Sequence, residues 1–251
     1  MSTKFVIVGA ARTGSTLLVK TLDSIDGVLC HGELLNNDGV RGYADGFDAF
    51  TATPQARKLR SETLDKARQA NQAGFIASAL DRESTATGFK ALYSAFFDPR
   101  WAPSVEYLLS DGGIKFVHLV RHNDLRRYIS EQILNAGGTN HSAVGGRSNR
   151  SVTVEIDVRA FTASHDAILR EIDHTRRLLA NHTVLELRYE DLSAAPGQVI
   201  AQTCEYLGIT IDPASVEPAL QKVGAPDLRD SVSNYDELMA NSATRAMLLS
   251  H

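Results

Sequence analysis

An α/β fold, a three-layer sandwich with a central, mostly parallel sheet flanked by helices, is predicted by three features of this sequence. Short apolar runs alternate with stretches of helical periodicity; the first run ends in a glycine-rich turn; and the candidate functional motifs follow predicted strands. Alternating strands and helices favour a parallel sheet covered on both faces, where ligands collect beyond the carboxyl ends of the strands.

The elements follow in order. Lys4–Val8 (KFVIV) is a continuous apolar run ending in glycine, the pattern of a buried parallel strand. Ser15–Leu22 reads as a helix, Gly27–Cys30 as a short strand, and the charged, periodic Pro54–Asn71 as a surface helix. Gly88–Leu92 and Lys115–Val120 are further strands. After the latter, Leu125, Tyr128, Ile129, Gln132 and Ile133 share one helix face. Between Asn135 and Val154 the pattern dissolves into Gly, Asn, Ser and Arg, and this stretch is expected to form an acceptor-side loop. Phe161, His165, Ile168, Ile172, Thr175 and Leu179 form a single helical stripe. Val184–Leu187 is the last clear strand, followed by one helix through Tyr206. No repeat or linker divides the 251 residues, so one domain, 1–251, is expected.

A formal net charge of −4 argues against a general nucleic-acid binder while allowing a local basic pocket. Two cysteines, Cys30 and Cys204, are too few for a disulfide framework and suit the reduced core of a cytoplasmic protein. The first apolar run is far too short to span a membrane and carries no secretory pattern, so stable membrane insertion is not expected. Histidines, cysteines and carboxylates lack metal-ligand spacing, and no metal is expected.

The first strand runs into Gly9-Ala10-Ala11-Arg12-Thr13-Gly14-Ser15-Thr16. Gly9, Gly14 and Thr16 fit the phosphate loop G-x-x-x-x-G-K-[ST], and Ser15 stands where the lysine belongs. Glycines still let the backbone wrap an anion, amides at the helix start still point at it, and Arg12 supplies a cation whose fork can grip and stabilise the group being transferred, a catalytic role. The missing lysine leaves the loop poorly equipped for magnesium-ATP chemistry and better suited to a shorter anion. A second anion site is read in LVRHNDLRRYIS, where Arg121 at a strand end and Ser130 on the next helix can pinch one phosphate. Two such sites on one edge suit a nucleoside with phosphates at both ends.

RTGSTLL, LVRHNDLRRYIS and RYEDL, each after a strand, together resemble the PAPS-dependent sulfotransferases, P-loop-containing enzymes that use 3′-phosphoadenosine-5′-phosphosulfate. The resemblance is strongest to bacterial carbohydrate sulfotransferases of the Nod-factor and trehalose type, with GELLN, GFKAL and LRDSVSNYDEL adding to it. It implies that Arg12, Thr13, Gly14, Ser15 and Thr16 hold the 5′-phosphosulfate and that Arg121 and Ser130 hold the 3′-phosphate. Many of these enzymes separate that arginine and serine by eight residues, which would substitute His122 for Arg121; Arg121 is favoured because its charge is permanent. The resemblance also implies Glu33 as the base for the acceptor hydroxyl, with His31 as the alternative. Lys90 would stabilise the leaving group, and Arg229 would close over the 3′-phosphate. The acceptor is a small molecule or carbohydrate, a homo-oligomer is possible, and adenosine 3′,5′-bisphosphate leaves as product. The competing readings are a P-loop small-molecule kinase using magnesium-ATP and a nucleotide-binding module without catalysis.

Overall fold

The computed structural model describes residues 2–47, 51–138, 152–219 and 227–250. Five strands carry the fold: β1 (Thr3–Gly9), β2 (Val28–Glu33), β3 (Ala86–Leu92), β4 (Lys115–Val120) and β5 (Val184–Arg188). Between and after them lie α1 (Ser15–Asp23), α2 (Pro54–Ala70), α3 (Gln72–Leu80), α4 (Tyr93–Phe97), α5 (Ala102–Ser110), α6 (Asp124–Asn135), α7 (Val158–Leu178), α8 (Tyr189–Ala194), α9 (Pro196–Leu207), α10 (Tyr235–Ala240) and α11 (Ser242–Leu249).

The sheet runs β2-β3-β1-β4-β5, and every pairing in it is parallel. The chain leaves β1 toward β2 and β3 and later crosses to β4 and β5 on the other side. Strand order therefore reverses around β1, and the crevice for a ligand opens beyond its carboxyl end. Alternation along β1 divides the core. Phe5 and Ile7 pack with Leu18 and Leu22 of α1 and Ile200 and Cys204 of α9. Val6 and Val8 face Ile76 and Leu80 of α3 and Leu108 of α5. Both faces of β1 are thus covered by helices, which explains its unbroken apolar run.

A third apolar cluster joins Leu125 and Ile129 of α6 to Val154, Ile156, Phe161, Leu238 and Leu248. It ties the carboxyl-terminal helices to the corner where β4 meets α6. Asn123 reinforces the tie, donating from Nδ2 to the Met247 and Ser250 carbonyls at 2.7 and 3.0 Å.

Some sequence expectations change. The helix expected after β5 is two, because Pro196 lacks an N–H to continue the ladder and pushes Ala195 out of helical geometry, to φ −138° and ψ 64°. β2 extends to Glu33, past the expected Cys30. The acceptor-side loop expected at 135–154 falls largely on 139–151, outside the described residues.

Candidate active site at the strand ends

The turn after β1 is shaped by close approaches. A Cβ on Gly9 would lie 2.6 Å from the Leu119 carbonyl of β4, and one on Gly14 would lie 2.7 Å from the Tyr189 ring. Gly14 has φ 76°, a left-handed conformation glycine adopts without strain; Arg12, with φ 65°, adopts it at a cost. Thr13 turns inward, its hydroxyl donating to the Ala10 carbonyl at 2.8 Å. No side chain caps the helix that starts at Ser15, which leaves its first amides to point out of the sheet edge.

The corner between β4 and α6 meets this turn. Arg12 reaches across and donates from Nε and Nη2 to Ser130 Oγ at 3.1 and 2.9 Å. Arg121 reaches back, its Nη1 donating to the Arg12 carbonyl at 2.9 Å, while its guanidinium lies 4.3 Å from the Tyr189 ring centroid. Burial lowers the Arg121 pKa most; Tyr189 and Glu190 oppose that, and the charges of Arg126 and Arg12 add to the lowering. His122 is exposed, and its backbone N–H, like that of Asn123, donates to the Glu190 carboxylate. Tyr189 and Glu190, read from sequence as packing and capping residues, therefore shape both turns: Tyr189 as the floor under Gly14 and Arg121, Glu190 as the anchor of the β4–α6 turn.

Beyond the loop's other flank, a bulge sets a carboxylate. His31 pairs with Phe89, but Lys90 pairs with Glu33, leaving Gly32 as the extra residue. A Cβ on Gly32 would meet the Arg41 carbonyl at 2.5 Å, so glycine is required there. The extra residue reverses side-chain alternation and turns Glu33 from the face of His31 to that of Lys90. Lys90 Nζ sits 2.6 Å from Glu33 Oε1 and 3.3 Å from the Thr16 hydroxyl. Burial raises the Glu33 pKa, but the charge and hydrogen bond of Lys90 and a hydrogen bond from Asn36 outweigh it and hold the carboxyl below its usual range. Glu33 and Lys90 also line a cavity of about 230 Å³ with Asn36, Asp38, Leu92 and Ser94.

Two expected site residues stand apart. His31 is completely buried. Its Nδ1 accepts the Ala44 N–H at 2.9 Å, which fixes the proton on Nε2, and Nε2 donates to the Ala79 carbonyl at 2.9 Å. Burial lowers its pKa as well. His31 is therefore a residue that pins two segments to the sheet rather than a base. Arg229 is exposed, with Asp227 at 3.5 Å and the Tyr235 ring at 4.6 Å, both within its own segment. Arg126, part of a charged helix start in the sequence, has a buried Nε with no acceptor among the described residues. It precedes Ser130 by four residues on the same helix.

Among the described residues no group of three or more His, Cys, Asp or Glu side chains could hold a metal ion, and no helix is long and apolar enough to cross a membrane.

A family model described as the sulfotransferase family matches residues 4–213. Comparison with curated protein sequences returns no match. Among solved structures, the sulfotransferase domain from the curacin biosynthetic pathway is 17% identical, covering 98% of this chain and 96% of that one at a TM-score of 0.56. The sulfotransferase domain of the Synechococcus PCC 7002 olefin synthase is 21% identical, covering 91% and 82% at 0.50. A sulfotransferase from Alicyclobacillus acidocaldarius is 16% identical, covering 99% and 94% at 0.47. The first two share the fold of this chain.

Proposed function

Because the chain belongs to the sulfotransferase family, we propose that it moves a sulfuryl group from PAPS to a hydroxyl of a carbohydrate or glycoconjugate. One observation carries this reading: two cation-bearing turns meet through the Arg12–Ser130 contact, and the Glu33–Lys90 pair flanks the same loop. The residues fit a donor anionic at both ends. The left-handed turn at Gly14 and the uncapped start of α1 suit a 5′-phosphosulfate. Arg121, whose Nε is buried without an acceptor, suits the 3′-phosphate beside Ser130. Arg12, aimed at Ser130, is assigned to span the two ends rather than to grip the sulfuryl group alone.

The donor supplies an activated sulfuryl group; the chain supplies position, charge and a proton acceptor. Glu33 takes the acceptor hydroxyl's proton as that oxygen bonds to sulfur. The sulfur–oxygen bond to the 5′-phosphate breaks, and adenosine 3′,5′-bisphosphate leaves with the electron pair. While Lys90 is paired with it, Glu33 is a weak base. Thr16 lies within reach of Lys90 Nζ, so an anion on the loop draws the ammonium toward it. That movement stabilises the leaving oxygen and restores basicity to Glu33. The cavity beside Glu33, with amide, carboxylate and hydroxyl groups among Leu35 and Leu92, supports a small hydroxyl-bearing acceptor. Two free, buried cysteines support a reducing compartment, and we place the enzyme in the cytoplasm as a single domain.

Thermal unfolding tests the donor site. At a hundredfold over its Kd, adenosine 3′,5′-bisphosphate is expected to raise Tm by about 5–10 °C, with no shift from magnesium-ATP. The reverse pattern would replace this reading with phosphoryl transfer.

A further inference from the structure

Two adjacent arginines on α6 have opposite surroundings. Arg127 is buried and saturated: it contacts Asp124, donates to Glu131 Oε2 at 2.8 Å and donates to Ser164 Oγ at 3.1 Å. Arg126 has no such partner among the described residues. Its Nε is buried without an acceptor, as is that of Arg121, and no carboxylate among the described residues pairs with either guanidinium. The nearby acids are already engaged. Glu190 accepts the backbone N–H groups of His122 and Asn123, and Glu131 pairs with Arg127 while attracting Arg12.

Arg126 precedes Ser130 by four residues, so both leave the same face of α6. Ser130 receives both donors from Arg12, and Arg121 feels the charges of Arg126 and Arg12 together. Three guanidiniums thus converge at one corner, two of them with buried donors unanswered. Like charges crowded together and buried donors left open each oppose folding. The arrangement becomes favourable once an anion occupies the corner, where guanidinium forks match phosphate oxygens.

We propose that Arg126 is a third phosphate-binding arginine, donating with Ser130 and Arg121 to the second phosphate of a nucleoside bisphosphate and so setting selectivity for that phosphate. This rests on the donor reading above. It assigns Arg126 a ligand contact, whereas Arg127 next to it serves only the fold.

Calorimetric titration with adenosine 3′,5′-bisphosphate and with 5′-AMP separates the two ideas. The wild type is expected to prefer the bisphosphate; binding neither ligand, or both alike, would overturn the donor reading and this inference with it. If the wild type discriminates, Arg126→Gln is expected to weaken the bisphosphate about 10- to 100-fold and AMP by less than about threefold, with Arg126→Lys recovering part of the loss. The unliganded Arg126→Gln protein is expected to melt no lower than the wild type, because a crowded charge has been removed. Unchanged bisphosphate affinity in Arg126→Gln, or equal losses for both ligands, would overturn the role of Arg126 alone. A melting point lowered by several degrees with the ligand preference intact would make Arg126 structural.

Discussion

The two flanks of the phosphate loop handle charge in opposite ways. On the side of β2 and β3, Glu33 and Lys90 neutralise each other at 2.6 Å, and Asn36 and Thr16 complete their hydrogen bonds. On the side of β4 and α6, Arg12 lies beside Arg121 and Arg126, and neither Arg121 nor Arg126 has a matching carboxylate among the described residues. A balanced pair is stable unliganded and can exchange partners without changing net charge, which suits proton transfer. An unbalanced cluster is uncomfortable until an anion arrives, which suits binding. On the proposed reading, chemistry falls on one flank and affinity on the other, and substitutions are expected to separate turnover from donor binding.

The largest expected separation is at Glu33. Glu33→Gln is expected to lower turnover about 100- to 10,000-fold while leaving the Kd for adenosine 3′,5′-bisphosphate within about threefold. Sulfate-transfer assays set beside calorimetry check this, and equal losses in both would erase the distinction between the flanks. Lys90→Met comes next, with turnover reduced about 100- to 1,000-fold. It carries a second readout. Burial raises the Glu33 pKa and Lys90 lowers it, so losing the ammonium removes the lowering and keeps the raising. The acid limb of kcat/KM is therefore expected to move to higher pH. A limb that stays in place would show that the paired carboxylate is not the titrating base.

Gly32→Ala sharpens the comparison through backbone alone. A Cβ 2.5 Å from the Arg41 carbonyl forces the bulge to shift, and Glu33 moves with it. Turnover is expected to fall about 100-fold from misplacement of the base, with about 1–3 kcal/mol of stability lost to overpacking. Donor affinity, measured on the folded fraction, is expected to hold because the arginine flank is untouched.

What was legible from sequence follows the same physics. Apolar runs such as KFVIV announce buried parallel strands, and Gly9 and Gly14 announce a tight turn, because both depend on local residue chemistry. The helices α3 and α5 escaped because they lie against the sheet with little polar contrast, as in QAGFIASAL. The bulge escaped too: the need for glycine at position 32 comes from the Arg41 carbonyl, a contact made by a loop folding back on β2. His31 stands as the alternative base because cytosolic aryl and steroid sulfotransferases use a histidine, though at a different place in the chain. Only tertiary structure shows both ring nitrogens bonded to backbone from residues 44 and 79.

That buried imidazole yields the smallest effect, and one with a definite sign. Burial lowers the folded pKa of His31, whereas in the unfolded chain the ring titrates near its ordinary value of about 6.5. Between the two values the unfolded chain holds more protons, so stability is complete above the unfolded value and falls as pH drops through it. His118 has the same sign: burial lowers its pKa against the opposing pull of Glu186. Each histidine adds at most about 1.4 kcal/mol per pH unit to the slope. In His31→Gln, denaturant unfolding is expected to show a lower stability at pH 7 and a flatter decline from pH 7 to 5. Turnover per folded molecule is expected to stay within about threefold of the wild type, since removing a general base would cost about 100-fold or more. A loss of that larger size would return His31 to the chemistry and move the base from the carboxylate to the imidazole.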